Sequence, residues 1–202
     1  MGLRVSAALC ALVSLLALVA HIFGFLPMPF FLTFFGVPSL VLLFALAALG
    51  RRLNARVFLR CLLVGLLGGI VATLAYDLTK YGVRVSGLFD FDGFKAIYIF
   101  GGWITGRETS SVTAGVAGWL YHFWNGISFG IFYTLAFGRR HWMYGVVYGG
   151  VMEACMLGLF PLFVQITNKI DFIGVSMFGH LVYGAVLGMI AQKHALSWKD
   201  AV

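Results

Sequence analysis

The chain has 202 residues, of which 61% are hydrophobic and 10% charged, with a formal net charge of +7. Together with a mean hydropathy of +0.98, this excludes a soluble domain, because so much apolar surface leaves water only by entering lipid. The basic balance follows from membrane topology, as set out below, so no nucleic-acid partner is required.

The first apolar stretch, residues 7–25, is long, lacks a small-residue cleavage site and is followed at once by another span. It is read as a retained helix rather than a signal peptide. His21, near its end, is read as an interfacial hydrogen-bonding group. A tight turn at residues 25–29, with Pro27 and Pro29, leads into the second stretch, 30–49. That stretch has no ionisable residue and reads as a lipid-facing flank bent at Pro38, so the first two helices are expected to add little to the interior. The third stretch, 57–77, carries Gly65, Gly69, Thr73 and Asp77 at four-residue spacing, which places them on one face of a helix.

Residues 78–112 are too many for a simple turn, which signals function or an extra element. Within them, 94–104 is apolar and contains Gly101, Gly102 and Trp103, but eleven residues are too few to span. An interfacial or re-entrant helix capping the site is predicted there. Asp90-Phe91-Asp92-Gly93 resembles the start of a calcium loop, yet Phe94 stands where a further oxygen ligand belongs, so a solvated acidic turn is the reading taken. Thr109, Ser110 and Ser111 offer N-cap oxygens to the span that follows.

The last three stretches, 113–137, 142–164 and 172–192, repeat the stripe. His122, Gly126 and Gly130 form one copy, His180, Gly184 and Gly188 another, and Gly145, Gly149 and Glu153 a third in reverse order. If neighbouring spans run antiparallel, the reversals cancel: the polar ends gather on one side and the glycines on the other. Small residues at this spacing let membrane helices approach closely. Gly118 extends the His122 stripe and continues that packing beyond the histidine. The expected fold is therefore all-α, a polytopic six-transmembrane-helix bundle forming a single transmembrane domain over residues 1–202, with the additional segment in the outer loop 78–112.

Charge placement sets the orientation. Arg4, Arg51, Arg52, Arg56, Arg60, Arg139, Arg140, Lys193 and Lys199 fall on one side of the six-span arrangement, with the single acid Asp200. Lys80, Arg84, Lys95, Arg107 and Lys169 fall on the other. Nine cations against five places both termini in the cytoplasm. Cys10, Cys61 and Cys155 all lie within spans and imply no disulfide framework.

His122, Glu153 and His180 each fall ~12 to 16 Å below the outer boundary at ~1.5 Å per residue. Ionisable groups at that depth cost at least ~2.5 kcal/mol each and normally pair within the bundle. Asn125 and Tyr183, three residues beyond the two histidines, are placed to orient the imidazoles. The pocket is expected to open outward, with Thr73 and Asp77 at its edge. Four roles stay open for the trio: interhelical hydrogen-bonded glue, proton or cation handling, a divalent metal held by His122, Glu153 and His180, or a haem between the histidines. No H-E-x-x-H, G-x-S-x-G, P-loop or paired-cysteine motif supports a soluble type of enzyme.

His122, the Phe160-Pro161-Leu162 step and Phe178-Gly179-His180-Leu181-Val182-Tyr183 together resemble the YagU-type bacterial inner-membrane proteins, a family without an established biochemical function. The resemblance covers residues 115–190. It implies a location in the inner membrane and importance for His180, and supplies no reaction. The expected function is handling of protons, a small cation or a solute at an outward-facing pocket. A membrane-embedded metal- or haem-dependent enzyme and a non-catalytic subunit of a larger complex are the alternatives, with the bilayer, a small ion or solute, and a homo-oligomer or larger membrane complex as partners.

Overall fold

A computed structural model describes residues 2–201. The elements are α1 (Gly2–Ile22), α2 (Met28–Phe31), α3 (Val37–Arg52), α4 (Arg56–Ser86), α5 (Lys95–Thr105), α6 (Val112–Phe137), α7 (Met143–Leu159) and α8 (Lys169–His194). Short 3-10 turns follow α7 at Phe160–Leu162 and α8 at Trp198–Ala201. No strand occurs among the described residues.

Five helices are long and apolar enough to cross a membrane: Gly2–Ile22, Met28–Arg52, Arg56–Ser86, Met143–Leu162 and Lys169–His194. Of the six spans expected, the one at 113–137 is not among them. With 26 residues, α6 has the length, but Tyr121, His122, Trp124 and Asn125 dilute its apolar character. Of these, His122 and Asn125 line the central cavity.

Proline shapes the second span. Pro38 has no N–H for the carbonyl four residues before it and clashes with that turn. The helix widens there into a π turn, Leu32–Gly36, between α2 and α3. Phe34, Phe35, Val41 and Phe44 on this segment face outward, as expected of a lipid-facing flank. At the preceding turn His21 Nδ1 accepts a hydrogen bond from the Met28 amide at 3.2 Å, the local role expected of it.

The glycine stripes are where helices meet. In α4, Gly65 and Gly69 lie against α6: a Cβ at Gly69 would stand 2.8 Å from Ile127 Cα, and one at Gly130 2.6 Å from Gly69 Cα. On the other side of the bundle, a Cβ at Gly145 of α7 would stand 2.6 Å from Gly188 Cα of α8, and one at Gly184 3.0 Å from the Gly149 amide. A third close crossing joins α5 to the far half of α6, where a Cβ at Gly101 would lie 2.6 Å from the Ala114 carbonyl carbon. Lipid supplies no hydrophobic force between helices, so van der Waals contact at small residues carries the association. In this arrangement α4 is central, packed by α6 and α8, while α7 packs on α8 and α1 on α6.

The end that carries both termini is tied together by basic side chains on helix carbonyls. Arg4 Nε donates to Leu135 O and its Nη2 to Ala136 O, each at 2.6 Å, and Arg60 Nε donates to His194 O at 2.8 Å. These cations satisfy orphan carbonyls and oppose the negative ends of the α6 and α8 dipoles.

At the opposite end α4 runs past its predicted limit at residue 77 to Ser86, where Gly87 ends it at φ +67°, a conformation suited to glycine. The segment 78–112 is shorter than expected, and Lys80 lies inside a helix. The predicted element near 94–104 is α5 (Lys95–Thr105), begun by Asp92 Oδ1 accepting the Phe94 amide at 3.0 Å. The same carboxylate pairs with Arg84 Nη1 at 3.2 Å, so the acidic turn is a local side-chain-to-backbone turn and an ion pair rather than a calcium loop. Ser111, one of the three predicted caps, accepts the Ala114 amide at 3.2 Å and starts α6.

Candidate functional site

Two imidazole–carboxylate pairs occupy the middle of the bundle. His122 Nε2 of α6 lies 2.9 Å from Asp77 Oδ1 and 3.1 Å from Oδ2 on α4, and both side chains are mostly buried. His180 Nδ1 of α8 lies 2.7 Å from Glu153 Oε2 on α7, both buried. Ser176, one turn before His180, donates its hydroxyl to the same Glu153 oxygen at 2.6 Å.

The hydrogen bonds select the tautomers. His180 Nδ1 faces two acceptors, Glu153 Oε2 and the Ser176 carbonyl at 3.0 Å, so Nδ1 carries the proton and Nε2 is the free nitrogen. His122 Nε2 faces only the two Asp77 oxygens, so Nε2 carries the proton and Nδ1 is free. Neither free nitrogen has a protein partner among the described residues. A carboxylate behind an imidazole fixes its ring and tautomer, which leaves the other nitrogen of each histidine as a hydrogen-bond acceptor.

Both rings line a single cavity of about 70 Å³ between α4, α6 and α8. Tyr76 stands between them, its ring centroid 5.9 Å from that of His122 and 5.0 Å from that of His180. Lys80, 5% exposed, lines the same space. Its Nζ donates to the Gly93 carbonyl and to Tyr76 Oη at 3.3 Å, and lies 4.6 Å from the Tyr76 ring centre and 5.0 Å from that of Phe94. Ala96, Ile97 and Phe100 of α5 cover one end, as the helix predicted to cap the site would. Contrary to expectation α1 also takes part, through Leu15 and Leu18.

Gly126, where α6 meets Thr73 of α4, lies in the cavity wall. Toward the loop end, Asp77 faces a surface groove shared with Arg84, Asp92 and Trp119, whereas its partner His122 faces the cavity. The Asp77–His122 pair is thus the wall between groove and cavity.

The expected trio is corrected accordingly. His122, Glu153 and His180 do not form one cluster: His122 is bound to Asp77, and Glu153 stands behind His180, away from the cavity lining. Asn125 and Tyr183 line the cavity but do not orient the imidazoles. Asn125 Oδ1 is buried without a partner, and Tyr183 Oη donates to the Gly126 carbonyl at 2.6 Å. Thr73 also lines it, with its hydroxyl donated to Gly69 O at 2.7 Å. Sequence reasoning missed Tyr76, Lys80 and Ser176. Tyr76 and Lys80 follow Thr73 at helical spacing and Ser176 precedes His180 by four, but ending the third span at residue 77 hid the first two as a boundary and a loop.

A metal or haem was a sequence expectation, and the residues fit neither. No group of three His, Cys, Asp or Glu side chains gathers to hold a metal ion among the described residues. Both carboxylates are taken up behind imidazoles, and a cavity of about 70 Å³ has no room for a porphyrin ring. No family model, curated protein or solved structure matches this chain.

Proposed function

We propose that this chain is a multi-pass inner-membrane protein that takes protons into a buried site as part of handling a small solute. The observation that carries the reading is the pair of carboxylate-backed imidazoles whose free nitrogens belong to rings lining one water-sized cavity. A cavity of about 70 Å³ holds a few water molecules, enough to pass a proton between rings on either side of Tyr76. Buried ionisable groups in a bundle mark proton or ion paths, because their cost is otherwise unrecovered.

In this reading six helices cross the bilayer, α6 included, and α5 lies as an interfacial roof over the site. Both termini face the cytoplasm. Support comes from the charge count: with Lys80 buried, only Arg84, Lys95, Arg107 and Lys169 remain as solvent-side cations at the loop end, against nine at the other. The similarity to YagU-type proteins favours the bacterial inner membrane. Protons enter from the groove through Asp77 and His122 and reach His180, while the glycine crossings keep the cytoplasmic side shut.

The test is acidification of liposomes holding the purified protein, followed with an entrapped pH-sensitive dye under an imposed proton gradient. Wild-type vesicles should take up protons faster than empty ones. Asp77→Asn and Glu153→Gln, which keep shape but remove the carboxylate charge, should each lower that rate by tenfold or more while the protein stays folded. Wild-type vesicles no faster than empty ones would overturn the reading.

A further inference from the structure

Lys80 is a buried cation without an acid. The ion pairs among the described residues are Arg84–Asp92, His122–Asp77 and His180–Glu153, so no carboxylate lies within 4.0 Å of its ammonium. An ammonium has three N–H donors. Two go to the Gly93 carbonyl and Tyr76 Oη, and the two aromatic faces add cation–π attraction without cancelling charge. The third N–H has no protein acceptor, and the side chain lines the cavity that His122 and His180 also line. Each imidazole, once protonated, turns its remaining nitrogen from an acceptor into a donor.

Formal charges show when such a space accepts an anion. The charged and titratable groups around it are Tyr76, Asp77 and Lys80 from α4, His122 from α6, Glu153 from α7 and His180 from α8, with Asp92 at the loop end, whose charge is offset by its partner Arg84. With neutral imidazoles, one ammonium against two carboxylates leaves the site one negative. One proton brings it to neutrality, and two leave it one positive. A net charge buried at this depth is costly and calls for a counter-ion.

We propose that the cavity binds a small monovalent anion, a halide or a carboxylate of formate size, on Lys80 with both imidazoles protonated. The proposal rests on the proton reading of the same site and names its solute: anion and protons enter together, and the cavity volume sets the size limit.

The experiment measures binding of sodium formate and sodium chloride to the detergent-purified protein by titration calorimetry, with gluconate holding ionic strength constant. Expected are saturable binding to wild type at pH 5.5, affinity at least tenfold weaker at pH 8, and no competition from benzoate, which is too large for about 70 Å³. Lys80→Met should weaken binding at least tenfold and Lys80→Arg should recover part of it, while Arg107→Gln, at an exposed position outside the cavity lining, should leave it unchanged. Absence of saturable binding to wild type overturns the proposal, as does equal binding of benzoate. Should Lys80→Met fail to fold, the wild-type size and pH series decides alone. Proton uptake in gluconate with no anion binding leaves the proton reading standing and removes this one. Anion binding that is independent of pH in a protein that moves no protons removes the proton reading and, with it, the coupling proposed here.

Discussion

Replacing Gly149 and Gly150 by alanine, one at a time, tests whether the glycine stripe holds the site together. The two residues are neighbours in α7, and in each the change removes the same backbone freedom, favouring the helix by about 0.5 to 1 kcal/mol. At Gly150 nothing lies within 4 Å of the added methyl, so that gain stands unopposed. At Gly149 the methyl would press on the His180 carbonyl group, 3.0 Å from its carbon, and stand 3.3 Å from Gly184 Cα. These are backbone atoms of α8 and have no rotamer by which to withdraw. Overpacking of this kind costs about 1 to 3 kcal/mol, and an obstacle of backbone puts the site in the upper part of that range. The two variants should therefore differ by about 2 to 3 kcal/mol, with Gly150→Ala more stable than wild type and Gly149→Ala less. Reversible unfolding by SDS in mixed micelles, followed by far-ultraviolet circular dichroism, measures the difference. Because the displaced backbone belongs to His180, proton uptake should fall in the first variant only. A Gly149→Ala protein as stable as Gly150→Ala would refute the claim that α7 and α8 meet backbone to backbone.

Two further outcomes check orientation and the floor of the cavity. In a variant with Cys10, Cys61 and Cys155 changed to Ser, a cysteine introduced for Arg107 should react with a membrane-impermeant maleimide added to intact cells, and one introduced for Arg140 should not; the opposite pattern would invert the topology. Tyr183→Phe removes the 2.6 Å hydrogen bond to the Gly126 carbonyl and should destabilise the bundle by about 1 kcal/mol in the same SDS titration, since interhelical hydrogen bonds in membranes carry about that much; an unchanged midpoint would show that water replaces the bond.

What the sequence determined by itself is what repeats along a single helix. Composition decided the membrane, and four-residue spacing decided that Gly65 and Gly69, Gly126 and Gly130, Gly145 and Gly149, and Gly184 and Gly188 each make a narrow ridge, because residues four apart share a face whatever surrounds the helix. The cap at Ser111 and the extra helix near residues 94–104 were legible for the same reason: both depend on local chemistry. The expectation that the ionisable groups share one level also came from counting residues. Their pairing did not. Which carboxylate meets which histidine depends on which helices are neighbours and how each is rotated about its axis. The α4–α6 crossing gives Asp77 to His122, and the α7–α8 crossing leaves Glu153 to His180 alone. Lys80 was lost at a boundary set by hydropathy, where a charged residue looks like the end of a span. Only the tertiary structure, by carrying α4 on to the glycine at 87 and folding the Gly93 turn and two aromatic rings over the ammonium, turned a loop cation into a wall of the site.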